Sequence, residues 1–205
     1  MFTYEIAYLG IPLRHYEAAS GAIGAYARSP ESEGELLGCF GADIGALNRV
    51  AVLRRFASEA ALLSERARLI ASADPFGCGA FLTSLSLQTF APFMDLPPVT
   101  PGPHGPFYEI RTYDLRIGGL PILQEAWRRK LPARAEISPI LFALYGLDGT
   151  PRFTHIWPYR SLDGRHAARA EAVATGLWPP NAFPGATPLP MTSEIYTALP
   201  CSPLT

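Results

Sequence analysis

The chain has 205 residues, 48% of them hydrophobic and 17% charged, which supplies a real core and is the reverse of a disordered composition. Its net charge of -1 provides no global field for nucleic acid or an anionic membrane, so neither is an expected partner. No stretch approaches the roughly 20 apolar residues of a membrane span.

In chain order, residues 2–9 form the first expected strand, rich in aromatic and β-branched side chains. Leu13, Tyr16, Ile23 and Ala27 then recur at helical spacing, although Gly21 and Gly24 weaken that helix. Strands at 36–41 and 48–56 follow, joined by a turn from Gly41 to Asn48. Ser58 is placed to cap a second helix with an apolar stripe of Leu62, Leu63, Leu69 and Ile70. Asp74-Pro75-Phe76-Gly77 ends it, and a strand at 83–90 closes the first half.

Residues 92–106 are dense in Pro and Gly and read as a stiff, extended connection. Beyond it the same order returns. A strand covers 107–115, and a helix carries Leu120, Leu123, Trp127 and Leu131 on one face, with Pro121 in its first turn. Strands at 139–147 and 152–160 flank Asp148-Gly149, a strong hairpin signal. Ser161 caps a fourth helix reaching about Thr175, and 193–199 completes the set. A second Pro-rich run at 178–190 has no counterpart in the first half and is read as an ordered surface loop.

The halves also match residue by residue. Tyr4-Glu5-Ile6 returns as Tyr108-Glu109-Ile110; Arg49-Val50, Phe56 and Ser58 return as Arg152-Phe153, Tyr159 and Ser161; Arg66 falls on Arg169. Ala91-Pro92-Phe93 is aligned with Ser202-Pro203-Leu204. A repeat of domain length indicates duplication rather than a solenoid. The expected modules are residues 1–93 and 107–205, with 94–106 as the linker. Each has β-α-β-β-α-β order, the ferredoxin-like arrangement. Two helices cover one sheet face and leave the other bare. Two copies therefore bury their bare faces together, and the expected fold is an α+β pseudo-dimeric α/β barrel of two tandem ferredoxin-like modules.

The second half resembles a NIPSNAP domain of the dimeric α/β-barrel superfamily. The resemblance rests on Tyr108-Glu109-Ile110-Arg111-Thr112-Tyr113, on Trp127 with Leu131-Pro132, on His155-Ile156-Trp157, and on Tyr159, Ser161, Leu162, Arg165 and Arg169. The first half looks like a degenerate copy, with Ala7 for Arg111, Val52 for His155 and Arg54 for Trp157. The resemblance implies paired modules and little chemistry. Its wider superfamily includes cofactor-free monooxygenases, isomerases and haem proteins, and fold alone transfers none of those activities.

Strand periodicity supplies one candidate site. Glu109, Arg111 and Tyr113 share a face of their strand; Phe153, His155, Trp157 and Tyr159 share a face of theirs. If both sets point between the sheets, they form an aromatic-walled pocket in which Arg111 holds an oxyanion and His155 or Glu109 moves a proton. Arg54, brought across by the pseudo-two-fold, would then meet Trp157. The same residues serve equally as a salt bridge, Glu109 with Arg111, and as helix-side core aromatics around His155. Retention of Arg, His and Trp in one half suggests a single site, in the second module.

His15, His104 and His166 lack metal spacing, and Arg128-Arg129-Lys130 reads as a solvated helix face. Cys39, Cys78 and Cys201 show no paired framework, and residues 1–10 lack the features of a secretory leader. Reduced thiols and a cytoplasmic setting are therefore expected. No cofactor or metal is expected, haem on His155 being the disfavoured exception. The expected function is binding of a small, partly apolar molecule in the barrel. The alternatives are an interaction scaffold with a filled barrel, or a cofactor-free monooxygenase- or isomerase-like enzyme. A homo-oligomer is compatible with all three.

Overall fold

The computed structural model describes residues 2–180 and 189–205. The first half contains β1 (Thr3–Gly10), α1 (Tyr16–Ala27), β2 (Glu35–Ile44), β3 (Arg49–Phe56), α2 (Glu59–Ala71) and β4 (Ser84–Pro92). The second contains β5 (Phe107–Asp114), α3 (Gly119–Ile137), β6 (Phe142–Gly146), β7 (Arg152–Tyr159), α4 (Leu162–Ala174) and β8 (Leu189–Ala198). Both halves have the β-α-β-β-α-β order expected. Of the second Pro-rich run, residues 181–188 lie outside the described residues.

The strands close into one barrel in the order β1-β3-β2-β8-β5-β7-β6-β4, every pairing antiparallel. Each half contributes a four-stranded sheet, β4-β1-β3-β2 or β8-β5-β7-β6. The sheets join edge to edge along two seams, β2 with β8 and β4 with β6. The bare faces thus curl into a shared interior, while the helices stay outside. Closure also removes the unpaired edges that would invite association with other strands.

The register corrects one of the sequence alignments. Tyr4 lies opposite Phe90, and its counterpart Tyr108 lies opposite Tyr196. Ala91-Pro92-Phe93 therefore corresponds to Thr197-Ala198-Leu199, not to Ser202-Pro203-Leu204. The shared proline misled the alignment because β8 is followed by extra residues that fold back, with Thr205 and Gly102 exchanging backbone hydrogen bonds with the linker and tail.

Local chemistry sets the helix ends as expected. The Ser58 hydroxyl accepts from the Ala61 N–H at 3.2 Å, and Ser161 from the Gly164 N–H at 2.9 Å. The hairpin at Asp148-Gly149 uses a positive φ of 64° at Gly149. Asp148 fixes the seam beside it, its carboxylate accepting from the Thr89 N–H at 2.8 Å. Two apolar stripes are narrower than periodicity suggested. Leu62 and Leu69 are buried in α2 together with Glu65, while Leu63 and Ile70 are exposed. Each lies one residue, about 100° of helical rotation, beyond the buried line. Leu13 sits in a short 3-10 turn ahead of α1 and is also exposed.

Three apolar clusters result. One fills the barrel; one packs α1 and α2 on the first sheet; one packs α3 and α4 on the second. Phe93, just past β4, packs its ring on Phe153 at 4.1 Å and on Trp127 at 5.6 Å. The start of the connection is thereby held in the second module's core. Cys39 and Cys78 are buried and Cys201 half-buried, all as free thiols. No helix among the described residues is long and apolar enough to cross a membrane.

Trp127 is 1% exposed and touches the rings of Phe93, Phe153, His155 and Trp178. Trp127→Ala will lower stability by about 3–5 kcal/mol, read as a shift of the urea midpoint at unchanged slope.

Candidate functional site

Side chains alternate across each barrel strand, so every second residue faces the interior. At mid-height Phe40, Phe90, Tyr108 and Tyr196 fill it, each with no exposed surface. The Phe40 and Tyr108 rings approach to 4.5 Å between centroids. This layer leaves no room for a ligand, and the two ends of the barrel differ on either side of it. One end is apolar. Tyr4, Leu37, Leu141 and Phe142 meet linker residues Leu96 and Val99 around a cavity of about 220 Å³.

The other end is a polar mouth of about 420 Å³, lined by Tyr8, Arg49, Ser86, Gln88, Thr112, Arg152 and Glu194 among others. Arg49 organises it. Its guanidinium donates to the Tyr196 hydroxyl at 2.7 and 3.0 Å, pairs with Glu194, and lies over the Tyr8 ring at 4.7 Å. The Tyr196 hydroxyl in turn donates to Glu194 at 3.0 Å. Arg152 pairs with Asp148 and lies over the Phe90 ring at 4.9 Å. Burial pushes the Tyr8 phenol up to about 12, and burial raises Tyr196 further. Both stay protonated at neutral pH.

The residues selected from the sequence do share faces, but the face is the other one. Glu109 lies opposite Trp157, Arg111 opposite His155 and Phe107 opposite Tyr159. All point outward at α3 and α4, because Tyr108, Ile110 and Ile156 between them take the inward positions. The pocket expected between the sheets from Glu109, Arg111, Tyr113, His155, Trp157 and Tyr159 therefore does not exist there. A period of two fixes which residues share a face and leaves open which face it is.

On that outer face the six residues make two environments. His155 is 1% exposed and enclosed by the rings of Tyr113, Trp127, Phe153 and Trp157, with centroids 4.9–6.0 Å away. The Trp157 indole N–H donates to His155 Nδ1 at 2.5 Å, while Nε2 has no partner among the described residues. Burial, reinforced by Arg111, holds its pKa well below the usual histidine value, so the ring is neutral. Tyr159 is buried in the same apolar cluster.

The second environment surrounds Glu109, which is fully buried. One carboxylate oxygen, Oε1, accepts from Arg165 at 2.5 Å, from the Ser193 hydroxyl at 2.6 Å and from Arg111 at 2.8 Å. Arg169 stands 3.9 Å from the same oxygen. Although burial alone would raise it, hydrogen bonds from Arg165 and Ser193 and the nearby Arg111 charge bring the Glu109 pKa down to about 2. Arg111 also donates to the Tyr113 hydroxyl at 2.8 Å.

Arg54 belongs to neither environment and does not meet Trp157. The cation over Trp157 is Arg134, at 4.6 Å. Arg54 and Trp157 are two-fold equivalents and so face different helix pairs. Arg54 is buried under α2, paired with Glu5 and Glu65, and packed between Phe56 and Phe76 at 5.0 and 4.7 Å. Among the described residues no cluster of three or more His, Cys, Asp or Glu side chains is arranged to hold a metal ion. The mouth is not evident in the sequence because Arg49, the Ser86 and Gln88 pair, and Thr112 come from three different strands with no common spacing. The signal available was an unusual run of polar residues at alternate positions 84, 86 and 88.

Comparison with known proteins agrees with this architecture. The family model described as NIPSNAP matches residues 5–76 and 108–203. Among solved structures, a protein from Lactobacillus acidophilus described as a candidate monooxygenase superposes with a TM-score of 0.66 at 12% identity, covering 96% of this chain and 93% of its own. A chlorite dismutase variant from Candidatus Nitrospira defluvii, crystallised with cyanide, gives 0.60 at 10% identity over 98% and 91%. These likenesses concern the fold. A NIPSNAP family protein of unknown function from Agrobacterium tumefaciens is 25% identical over 52% of this chain and all of its own, with a TM-score of 0.45. No curated protein matches.

The neutral, enclosed His155 makes stability depend on pH. The unfolded chain takes up a proton near the ordinary histidine value of 6.5, and the folded chain does not. The depressed folded pKa thus contributes stability that is complete above about pH 6.5 and declines as pH falls below it. The urea midpoint will drop between pH 7.5 and 5.5, and His155→Phe will flatten that drop.

Proposed function

The chain belongs to the NIPSNAP family, and from that premise we propose that it binds a small polar molecule with an apolar face in the mouth of its barrel. The reading rests on the change in inward-facing residues along the barrel. Aromatic and aliphatic side chains fill the middle, then Ser84, Ser86, Gln88, Thr112 and Thr192 take over around an opening of about 420 Å³. Ser84, Ser86 and Thr192 stand exposed around this opening, where their hydroxyl groups can meet a ligand. The size fits a ligand pocket.

The charges indicate the class of ligand. Arg49 is neutralised by Glu194 and Arg152 by Asp148. Neither cation is left over for an anion, and a neutral molecule with hydroxyl or amide groups fits best. Its apolar face would lie on the Tyr8 ring. The partly apolar ligand expected from the sequence is thus moved from the middle of the barrel, which is full, to one end. The mouth supplies hydroxyl and amide groups, Ser84, Ser86 and Gln88 among them, so the reading is one of binding.

A second reading, an interaction scaffold, is favoured by the solid layer of Phe40, Phe90, Tyr108 and Tyr196. One experiment separates the two. Native mass spectrometry of the gently purified chain should reveal a bound small molecule. Ser86→Trp, which fills the mouth from an exposed position, should reduce its occupancy at least about tenfold, the loss of one good contact set, with no change in unfolding midpoint. A chain that carries nothing, or a Ser86→Trp variant that carries as much as wild type, leaves the scaffold.

A further inference from the structure

We propose that the outer face of the second module, away from the barrel mouth, is a binding site for a dianionic oxyanion, a phosphate monoester group, held by Arg111, Arg165 and Arg169. Three guanidinium groups gather there around the single carboxylate of Glu109. Arg111 comes from β5. Arg165 and Arg169 lie four residues apart on α4 and so share one face of that helix. One negative charge against three positive ones leaves two in excess.

The first module shows how the same arrangement is closed when it serves structure alone. Its buried carboxylate, Glu5, is the two-fold equivalent of Glu109, and it too binds arginines, Arg54 and Arg66. There a second carboxylate, Glu65 on α2, pairs with Arg54. Glu65 also accepts from the Tyr26 hydroxyl at 2.8 Å and from the backbone N–H groups of Glu33 and Gly34 at 2.7 and 3.0 Å. Asp148 adds a contact to Arg66 at 3.5 Å. Glu5 and Glu65 match Arg54 and Arg66 in number, and Asp148 is shared with Arg152. The helix positions correspond through the Ser58 and Ser161 caps, which align Arg66 with Arg169 and Glu65 with Ala168. Where the first module has its balancing carboxylate, the second has a methyl group.

The surplus is built in and reachable. The side chains of Arg111, Arg165 and Arg169 are 14%, 24% and 39% exposed, so part of each reaches solvent while Glu109 beneath them does not. Arg165 Nε is buried without a partner among the described residues. Burial first, then repulsion from Arg111, holds the Arg169 pKa below the usual arginine value. Unrelated surface arginines disperse; these are held together by a shared buried acceptor. A tetrahedral dianion offers several oxygens to their forks and cancels the excess charge. A neutral ligand, such as the barrel mouth suits, does neither.

The test uses the whole chain and inorganic phosphate as probe. Phosphate titrated at constant ionic strength against sodium chloride should raise the thermal midpoint saturably, with chloride giving no such rise. Arg169→Ala should weaken the apparent phosphate affinity by about tenfold or more, the loss of one charged hydrogen bond. Ala168→Glu, which restores the first module's carboxylate, should abolish the response; if that variant does not fold, Arg169→Ala decides alone. An equal rise with chloride, or a phosphate response unchanged in Arg169→Ala, overturns the site. A stronger response to succinate than to phosphate overturns the phosphate assignment.

Discussion

The whole molecule depends on the pairing of two sheet edges with two others. A single β-α-β-β-α-β unit leaves one sheet face uncovered and two edges with unpaired N–H and C=O groups. The β2–β8 and β4–β6 seams satisfy those groups and bend both sheets around one interior. Everything functional follows from that closure. It makes an inside that is filled at mid-height, an end that is polar, and an outside on which each helix pair covers its own sheet independently.

Because closure happens within one chain, the two halves are free to diverge. The barrel interior stays jointly apolar, since Phe40 and Phe90 from the first half and Tyr108 and Tyr196 from the second meet in one layer. A change at any of the four is felt by both modules, which limits drift there. The outer faces are joined by fewer contacts, Phe93 in the second module's cluster, Leu199 in the first's and Asp148 beside Arg66. Under α2 the first module keeps an ion network; under α3 and α4 the second keeps a ring of aromatics around His155 and an arginine cluster around Glu109. Largely separate packing on the outside explains how one fold carries two different solutions.

Much of this was legible in the sequence because it rests on local patterns. Alternation and helical spacing gave the order of strands and helices, though β2 runs on to Ile44 and β8 starts at Leu189. Ser58 and Ser161 marked two helix caps, and the Tyr-Glu-Ile repeat pointed to two halves of like order. What was not legible was the side of the sheet. Glu109, Arg111, His155 and Trp157 were correctly grouped but assigned to the interior, since alternation is symmetric about the sheet plane. Hydrophobicity could not break the tie, as the inward Tyr108 and Ile110 are matched outward by Tyr113 and Trp157. Long-range pairings were equally silent. Glu65 reads as one more polar residue in an amphipathic helix, and only the fold shows that it lies fully buried against Arg54.

The comparison of the halves changes meaning once that face is known. Read as a list, the first module had lost an arginine, a histidine and a tryptophan. In space it has exchanged them. The position of Trp157 holds Arg54, the helix opposite supplies Glu65, and Val52 stands where His155 is, so a charged network stands where the second module keeps its aromatic ring around His155. Both are complete in packing, with Arg54 and His155 each about 1% exposed. They differ in charge balance as well. A network confined to structural duty tends toward neutrality, because an uncompensated buried or half-buried charge costs free energy on every folding event. The first module obeys that constraint. The second departs from it at three neighbouring arginines, and that departure, rather than the retained histidine, separates the modules chemically.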